Sequence, residues 1–207
     1  AVRYTGRTLV SPDGSVAFDW VGTYLETRFT GGKLSVKVSE TGTSYYNVFV
    51  DGKLHKVVKV CGTDTLIHLV SGIDKRIHSL KIQKRSEGEF GKTTVHQFVL
   101  SGSGRLAEEP AVRTRHIEFI GNSLTCGYGT DGKHRDEPFL VETENCNLTF
   151  ASMVARYYDA DYTLIAHSGR GAARNYGDSV RVSKVTMKDR MLNTFDEDLT
   201  HKWNFKE

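Results

Sequence analysis

Cysteine is scarce in this chain, with three in 207 residues, and the three cannot all pair. Cys61, Cys126 and Cys146 show no C-x-x-C spacing, so neither a disulfide framework nor a zinc ribbon is expected to hold the fold. If one bridge forms, Cys126 and Cys146 are the pair to consider; buried free thiols are the alternative. No run of about 18 apolar residues occurs, so no segment reads as a membrane-spanning helix. The N-terminus Ala1-Val2-Arg3-Tyr4 lacks the charged-then-apolar order of a signal peptide, as in a chain whose export signal has been removed. Charge of either sign is not in excess: 28 basic and 25 acidic residues leave +3, interspersed rather than blocked. Nothing therefore points to nucleic acid or a membrane surface as a partner. The eight histidines fall in no H-E-x-x-H or comparable spacing, so no metal and no other cofactor are expected.

What is present fits a globular protein with 38% hydrophobic residues and room for one large or two small domains. Residues 1–101 read as all-β. Short apolar-alternating runs recur at 16–21, 34–38, 46–50, 56–60, 66–70, 80–82 and 95–100, separated by turn signals such as Asp13-Gly14, Gly31-Gly32 and Asp51-Gly52. Leu34/Val36/Val38 and Tyr46/Val48/Val50 alternate with period two, which puts one face of each strand on a core. No helical period of useful length appears, so two packed antiparallel sheets of eight to nine strands, a jelly-roll sandwich, are expected. Trp20, Tyr24, Tyr45 and Tyr46 could stack on sugar rings, but aromatic residues in sandwiches more often pack the core.

The stretch 102–112, glycine-, serine- and acid-rich and ending near Pro110, reads as a linker, and the grammar changes after it. Residues 113–207 are expected to open an α/β/α domain. A strand at 115–120, a polar loop, a helix starting near 145–149 and a strand at 162–166 make a βαβ unit with a parallel sheet. Phe150, Val154 and Tyr157/Tyr158 give the helix an apolar stripe for its core face. Ser123 leaves the first strand through Gly121-Asn122, and Gly169 leaves the second through His167-Ser168. Ligands of parallel sheets sit outside the carboxyl ends of the strands, so a serine hydroxyl and a bare glycine N–H are predicted to share one edge. That is the equipment of acyl transfer, a nucleophile beside an oxyanion donor.

The absence of G-x-S-x-G disfavours the α/β-hydrolase elbow. Gly121-Asn122-Ser123-Leu124-Thr125 instead resembles the first block of the SGNH (GDSL) hydrolases, with Asn122 where that family usually has Asp, and Ser168-Gly169 resembles the second block. Thr125-Cys126-Gly127-Tyr128-Gly129, Thr143-Glu144-Asn145 and Arg174-Asn175-Tyr176-Gly177 are similar to strings of carbohydrate esterase family 2, in which a β-sandwich precedes an SGNH domain. The resemblance implies a secreted, periplasmic or cell-surface esterase that removes O-acetyl groups from xylan or glucomannan. It implies Ser123 as nucleophile, Gly169 as oxyanion donor, and Tyr176, with Arg174 and Asn175 beside it, at the sugar; the other reading of Tyr176 is a packing residue at a helix start.

The chain also departs from the pattern. Gly-x-Asn-Asp, the third block, is absent, and the base of the family sits at the far end of its domain. Asp198-Leu199-Thr200-His201 has the D-x-x-H form, but no strand carrying the third block precedes it. Two parallel strands alone would leave unpaired sheet edges, so the chain is expected to be the first part of a longer enzyme, its partner being the remaining C-terminal part. The competing expectation is a non-catalytic carbohydrate-binding module with a degenerate SGNH half.

Overall fold

The computed structural model describes residues 1–206. Val2–Thr5 (β1), Leu9–Val10 (β2) and Val16–Phe18 (β3) lead into two very long strands, Tyr24–Val50 (β4) and Lys53–Lys84 (β5), followed by Thr93–Ser101 (β6) and Arg105–Leu106 (β7). All seven form one antiparallel sheet in the order β1-β4-β6-β3-β2, with β5 and β7 also paired to β4. The β4–β5 hairpin closes at Asp51 (φ 50°) and Gly52 (φ 75°), both left-handed as a type I′ turn requires. Register shifts between Thr30 and Gly32, between Val38 and Thr43, and at Tyr45/Tyr46 bend the long strands. Residues 46–50 consequently pair twice, with 53–58 and again with 80–84, and the sheet curls back on itself.

Patterning predicts eight or nine strands in two sheets; the structure has seven in one curled sheet. The reason is local, because several predicted breaks are bulges inside a continuous strand. The runs 34–38 and 46–50 both lie in β4, and 56–60, 66–70 and 80–82 all lie in β5. The jelly-roll expectation is met at the level of a curled antiparallel β domain. Leu34, Val36 and Val38 bury the same face as expected, against Phe18, Leu25, Phe29, Tyr46, Val48 and Leu80. Each such fully buried side chain stabilises the fold by about 1.5–3 kcal/mol. Trp20, Tyr24 and Tyr46 are buried, so packing rather than sugar stacking is their role.

The second sheet has two parallel strands, His116–Gly121 (β8) and, after the helices Ser123–Cys126 (α1) and Phe150–Tyr157 (α2), Asp161–Ala166 (β9); a last short helix is Met187–Arg190 (α3). β8 and β9 align residue for residue from His116↔Asp161 to Gly121↔Ala166. The expected helix starts later than predicted, since Cys146–Leu148 forms a separate 3-10 turn. Its orientation also differs: α2 buries Ala151, Ser152 and Ala155 and turns Phe150, Val154, Tyr157 and Tyr158 outward. Small residues let the helix sit close to β9, and the apolar stripe faces away from it.

The two sheets share one seam. Val21 and Tyr24 complete a core with Cys126, Cys146, Ala151, Ala155, Tyr162 and Leu164. Gly22 (φ 76°) lies so near that an added Cβ would stand 2.6 Å from Leu164 Cδ1. Across the seam Tyr24 Oη and Arg3 Nη1 each donate to Asp161 at 2.7 Å, Gln83 Nε2 donates to Tyr162 Oη at 2.6 Å, and Asn47 Nδ2 donates to Asn145 Oδ1 at 2.9 Å. Arg113 adds a third donor to Asp161 at 2.8 Å. Within 102–112, β7 pairs with Phe29 and Thr30 of β4, so part of the predicted linker belongs to the sheet.

Candidate active site

Gly121 ends β8 where Thr125 packs against its backbone: a Cβ there would lie 2.1 Å from Thr125 Oγ1. The chain then turns into α1 with Asn122 as N-cap, whose side-chain oxygen accepts the Leu124 N–H at 3.2 Å. An amide oxygen does this as well as a carboxylate, which explains how Asn122 can stand at a position usually held by Asp. Ser123 is the first residue of α1, half-buried, at the carboxyl edge of the parallel sheet. Gly127 (φ 86°) closes the helix under Asn145, leaving no room for a side chain.

β9 ends at the same edge. His167 and Ser168 follow it, and Gly169 adopts φ 73°, a conformation other residues rarely take. Its carbonyl accepts the Tyr176 N–H at 2.8 Å, which folds 169–176 into a compact loop. Among the described residues neither the Ser123 N–H nor the Gly169 N–H has a hydrogen-bond acceptor. One cavity of about 690 Å³ is lined by Asn122, Ser123, Ser168, Gly169, Arg174 and Tyr176, together with Glu89, Tyr128, Arg170 and Gly171. Four of the five sequence-predicted site residues, Ser123, Gly169, Arg174 and Tyr176, are therefore together. Tyr176 is 93% exposed and opens onto this cavity.

Asn175 corrects the sequence reading, for it is buried and faces the loop. It accepts the Gly171 N–H at 3.2 Å, donates to Val185 O at 2.8 Å, and its main-chain N–H donates to Ser183 Oγ. An amide that satisfies two neighbours, with a main-chain N–H that satisfies a third, holds the loop that carries Arg174 and Tyr176 instead of meeting a ligand. Glu89 and Tyr128 were not anticipated. Glu89 comes from a 3-10 turn after β5, so the first sheet supplies part of the wall; burial and the nearby Glu87 charge raise its pKa. Tyr128 stacks on Phe139 at 3.8 Å between centroids, and Phe139 on Phe90 at 5.7 Å, an aromatic ladder leading from the cavity. The Tyr128-Gly129 string was visible in the sequence, but the partners of Tyr128 are set by tertiary packing.

No histidine among the described residues lines this cavity. His167 is buried with Nδ1 2.7 Å from Asp196 Oδ2, and His201 stands in an exposed loop with Nδ1 2.7 Å from Asp198 Oδ2. The thiols of Cys126 and Cys146 are free and buried, and burial raises both pKa values. Two groups bring three polar atoms within 4.8 Å of one another, Glu87/Cys126/Glu144 and His167/Asp196/Glu197. Arg190 already pairs with Asp196 and Glu197, and main-chain N–H groups already bind Glu87 and Glu144. Neither group is assigned a metal.

Residues 4–110 match the family model for the carbohydrate esterase 2 N-terminal domain. The chain is 34% identical over 176 residues to the cellulase/esterase CelE of Acetivibrio thermocellus, covering 85% of this chain and 22% of that protein. It is 31% identical over 208 residues to an acetylxylan esterase / glucomannan deacetylase of Cellvibrio japonicus, covering 97% of this chain and 56% of that protein. Among solved structures, a family two carbohydrate esterase from Clostridium thermocellum in complex with cellohexaose superposes with a TM-score of 0.93 at 32% identity, over 100% of this chain and 62% of that one. The chain thus spans between about a fifth and three fifths of the length of these relatives. A family match over more than half of its residues, carried on the same curled sheet and parallel pair, means that this chain belongs to carbohydrate esterase family 2.

Proposed function

We propose that the protein carrying this chain is a serine esterase that removes O-acetyl groups from plant cell-wall polysaccharide, with xylan or glucomannan as substrate. Ser123 Oγ attacks the acetyl carbonyl, and the N–H groups of Ser123 and Gly169 receive the oxyanion. The observation that carries this reading is the pair of unengaged N–H groups at one sheet edge, beside the Ser123 hydroxyl in one cavity. Tyr176 offers an exposed ring for the sugar, and Arg174 a cation for its hydroxyls. The Cellvibrio relative's name, acetylxylan esterase / glucomannan deacetylase, supports the substrate class, and the cellohexaose in the solved neighbour supports a β-linked glycan in such a fold. Such a substrate lies outside the cell, which fits a secreted or surface-held enzyme.

The general base must reach about 3 Å from Ser123 Oγ, directly or through one water. With no described histidine on the cavity, we place the base in the additional length that the relatives possess. On this reading that segment also covers the outward apolar residues Phe150, Val154 and Tyr157 and pairs the open edge of β8, whose one strand partner among the described residues is β9. The same lack of a base favours one other reading, a carbohydrate-binding module without turnover. Acetate release from acetylated xylan separates the two. The full-length protein should release acetate and residues 1–207 alone should not; glycan binding by the full-length protein without release would establish the binding module.

A further inference from the structure

Behind the cavity lies a pair of acids that the esterase chemistry does not use. Glu87 and Glu144 are both fully buried, one after β5 and the other in the segment before α2. Glu144 Oε2 accepts the Glu87 main-chain N–H at 2.9 Å, and Glu87 Oε2 accepts the Ser168 N–H at 2.5 Å. One carboxyl oxygen of each and the Cys126 Sγ all lie within 4.8 Å of one another. Each keeps one oxygen, Oε1, that no donor in the chain satisfies.

Two fully buried carboxyl groups this close cannot both ionise, so one of them carries a proton. The buried cation nearby is Lys84, whose Nζ donates to Ser44 Oγ at 2.8 Å and to the Glu87 carbonyl at 3.3 Å rather than to either carboxylate. The other titratable groups that face the pair are the Cys126 and Cys146 thiols, Glu89, His167 and Asp196. Arg85 approaches from the first sheet, its Nε donating to the Glu144 carbonyl at 2.7 Å.

The pair joins three elements of the site. Glu87 belongs to the first sheet's side of the seam, Cys126 lies on α1 one turn after Ser123, and Ser168 immediately precedes Gly169. We infer that Glu87 and Glu144 hold a single proton between them and that this buried acid pair, through the Glu87 and Ser168 main-chain N–H groups it accepts, is a positioning device, fixing the Ser168-Gly169 turn relative to α1 so that the Gly169 N–H meets the oxyanion formed at Ser123. The kinetic part rests on the esterase reading; the shared proton does not. Burial, and after it the Glu87 charge, raise the Glu144 pKa, in keeping with Glu144 as the acid.

Infrared spectroscopy of the full-length protein at about pH 8 tests this directly, since Asp19, raised to about 6, is then largely ionised. A protonated-carboxyl stretch should be present in wild type and lost in Glu144→Gln, whose amide donates to Glu87 without a proton. Glu144→Gln should keep wild-type kcat and lose part of the decline of stability with rising pH, the part that His167 does not supply. Glu144→Leu should lower kcat by on the order of 10²-fold with KM little changed, the cost of a misplaced donor. Absence of that stretch in wild type, a Gln variant as impaired as the Leu variant, or a stoichiometric divalent ion removed by chelator would each overturn the inference. If Ser123→Ala leaves acetate release intact while the stretch behaves as described, the esterase reading fails and the shared proton stands.

Discussion

His167 Nδ1 lies 2.7 Å from Asp196 Oδ2, so the residue that opens the Ser168-Gly169 turn is clamped to a segment 29 positions further along the chain. Burial alone would lower the His167 pKa; the hydrogen bond and charge of Asp196 outweigh it and raise the value. A raised folded-state pKa gives stability that is complete below the unfolded value near 6.5 and is lost as pH rises through the folded one. Glu144 contributes with the same sign. The melting temperature of wild type should therefore fall from about pH 6 upward, and His167→Asn and Glu144→Gln should each flatten a separate share of that slope. A wild-type melting temperature that rises over this range would contradict both assignments.

Asp161 works in the opposite direction. Burial alone would raise its pKa, but hydrogen bonds from Arg3, Tyr24 and Arg113 hold it at about 2. Its contribution is present above the unfolded value of 3.8 and is lost as pH falls from there toward 2. Asp161→Asn removes the carboxylate that accepts from Arg3, Tyr24 and Arg113, leaving Glu26 and Asp159 as the acids beside the two guanidinium groups, and should cost about 1–3 kcal/mol in denaturant titrations. A loss below about 1 kcal/mol, the range of an exposed pair, would show that the seam is solvated.

Gly169→Ala separates backbone strain from side-chain crowding. The nearest atom to an added Cβ is Tyr176 Cβ at 3.8 Å, so space is available, while φ of 73° is unfavourable for alanine by about 1–2 kcal/mol. The variant should fold with that modest loss and show reduced kcat with KM little changed. Tyr176→Ala should do the reverse, raising KM for acetylated polysaccharide roughly tenfold, about 1.4 kcal/mol, and leaving a small aryl acetate unaffected. An equal effect on both substrates would place Tyr176 outside the sugar subsite.

The parts of the fold legible in the sequence were those with local causes. Asp51-Gly52 specifies its own turn, Leu34/Val36/Val38 its own buried face, and Gly121-Asn122-Ser123 its own cap. Strand continuity was not legible, because a bulge within β4 and a turn between strands both look like broken alternation, and only the pairing partner distinguishes them. The stripe on α2 misled for a related reason: periodicity finds an apolar face but not what covers it, and the small face of Ala151 and Ala155 packed first. The resemblance of Arg174-Asn175-Tyr176-Gly177 to a family string puts Asn175 at the sugar, whereas its amide closes the loop. Glu89 and the Glu87–Glu144 pair carry no local signature, since each acquires its role from a residue more than thirty positions away.

Ser123 as nucleophile is the central claim, and acetate release by the full-length Ser123→Ala protein measures it. The substitution removes one hydroxyl from a half-buried helix start, so the fold and its melting temperature should be unchanged. Turnover of an aryl acetate should fall by a factor on the order of 10³ or more. Release within about tenfold of wild type, equivalent to about 1.4 kcal/mol of barrier, would contradict the account.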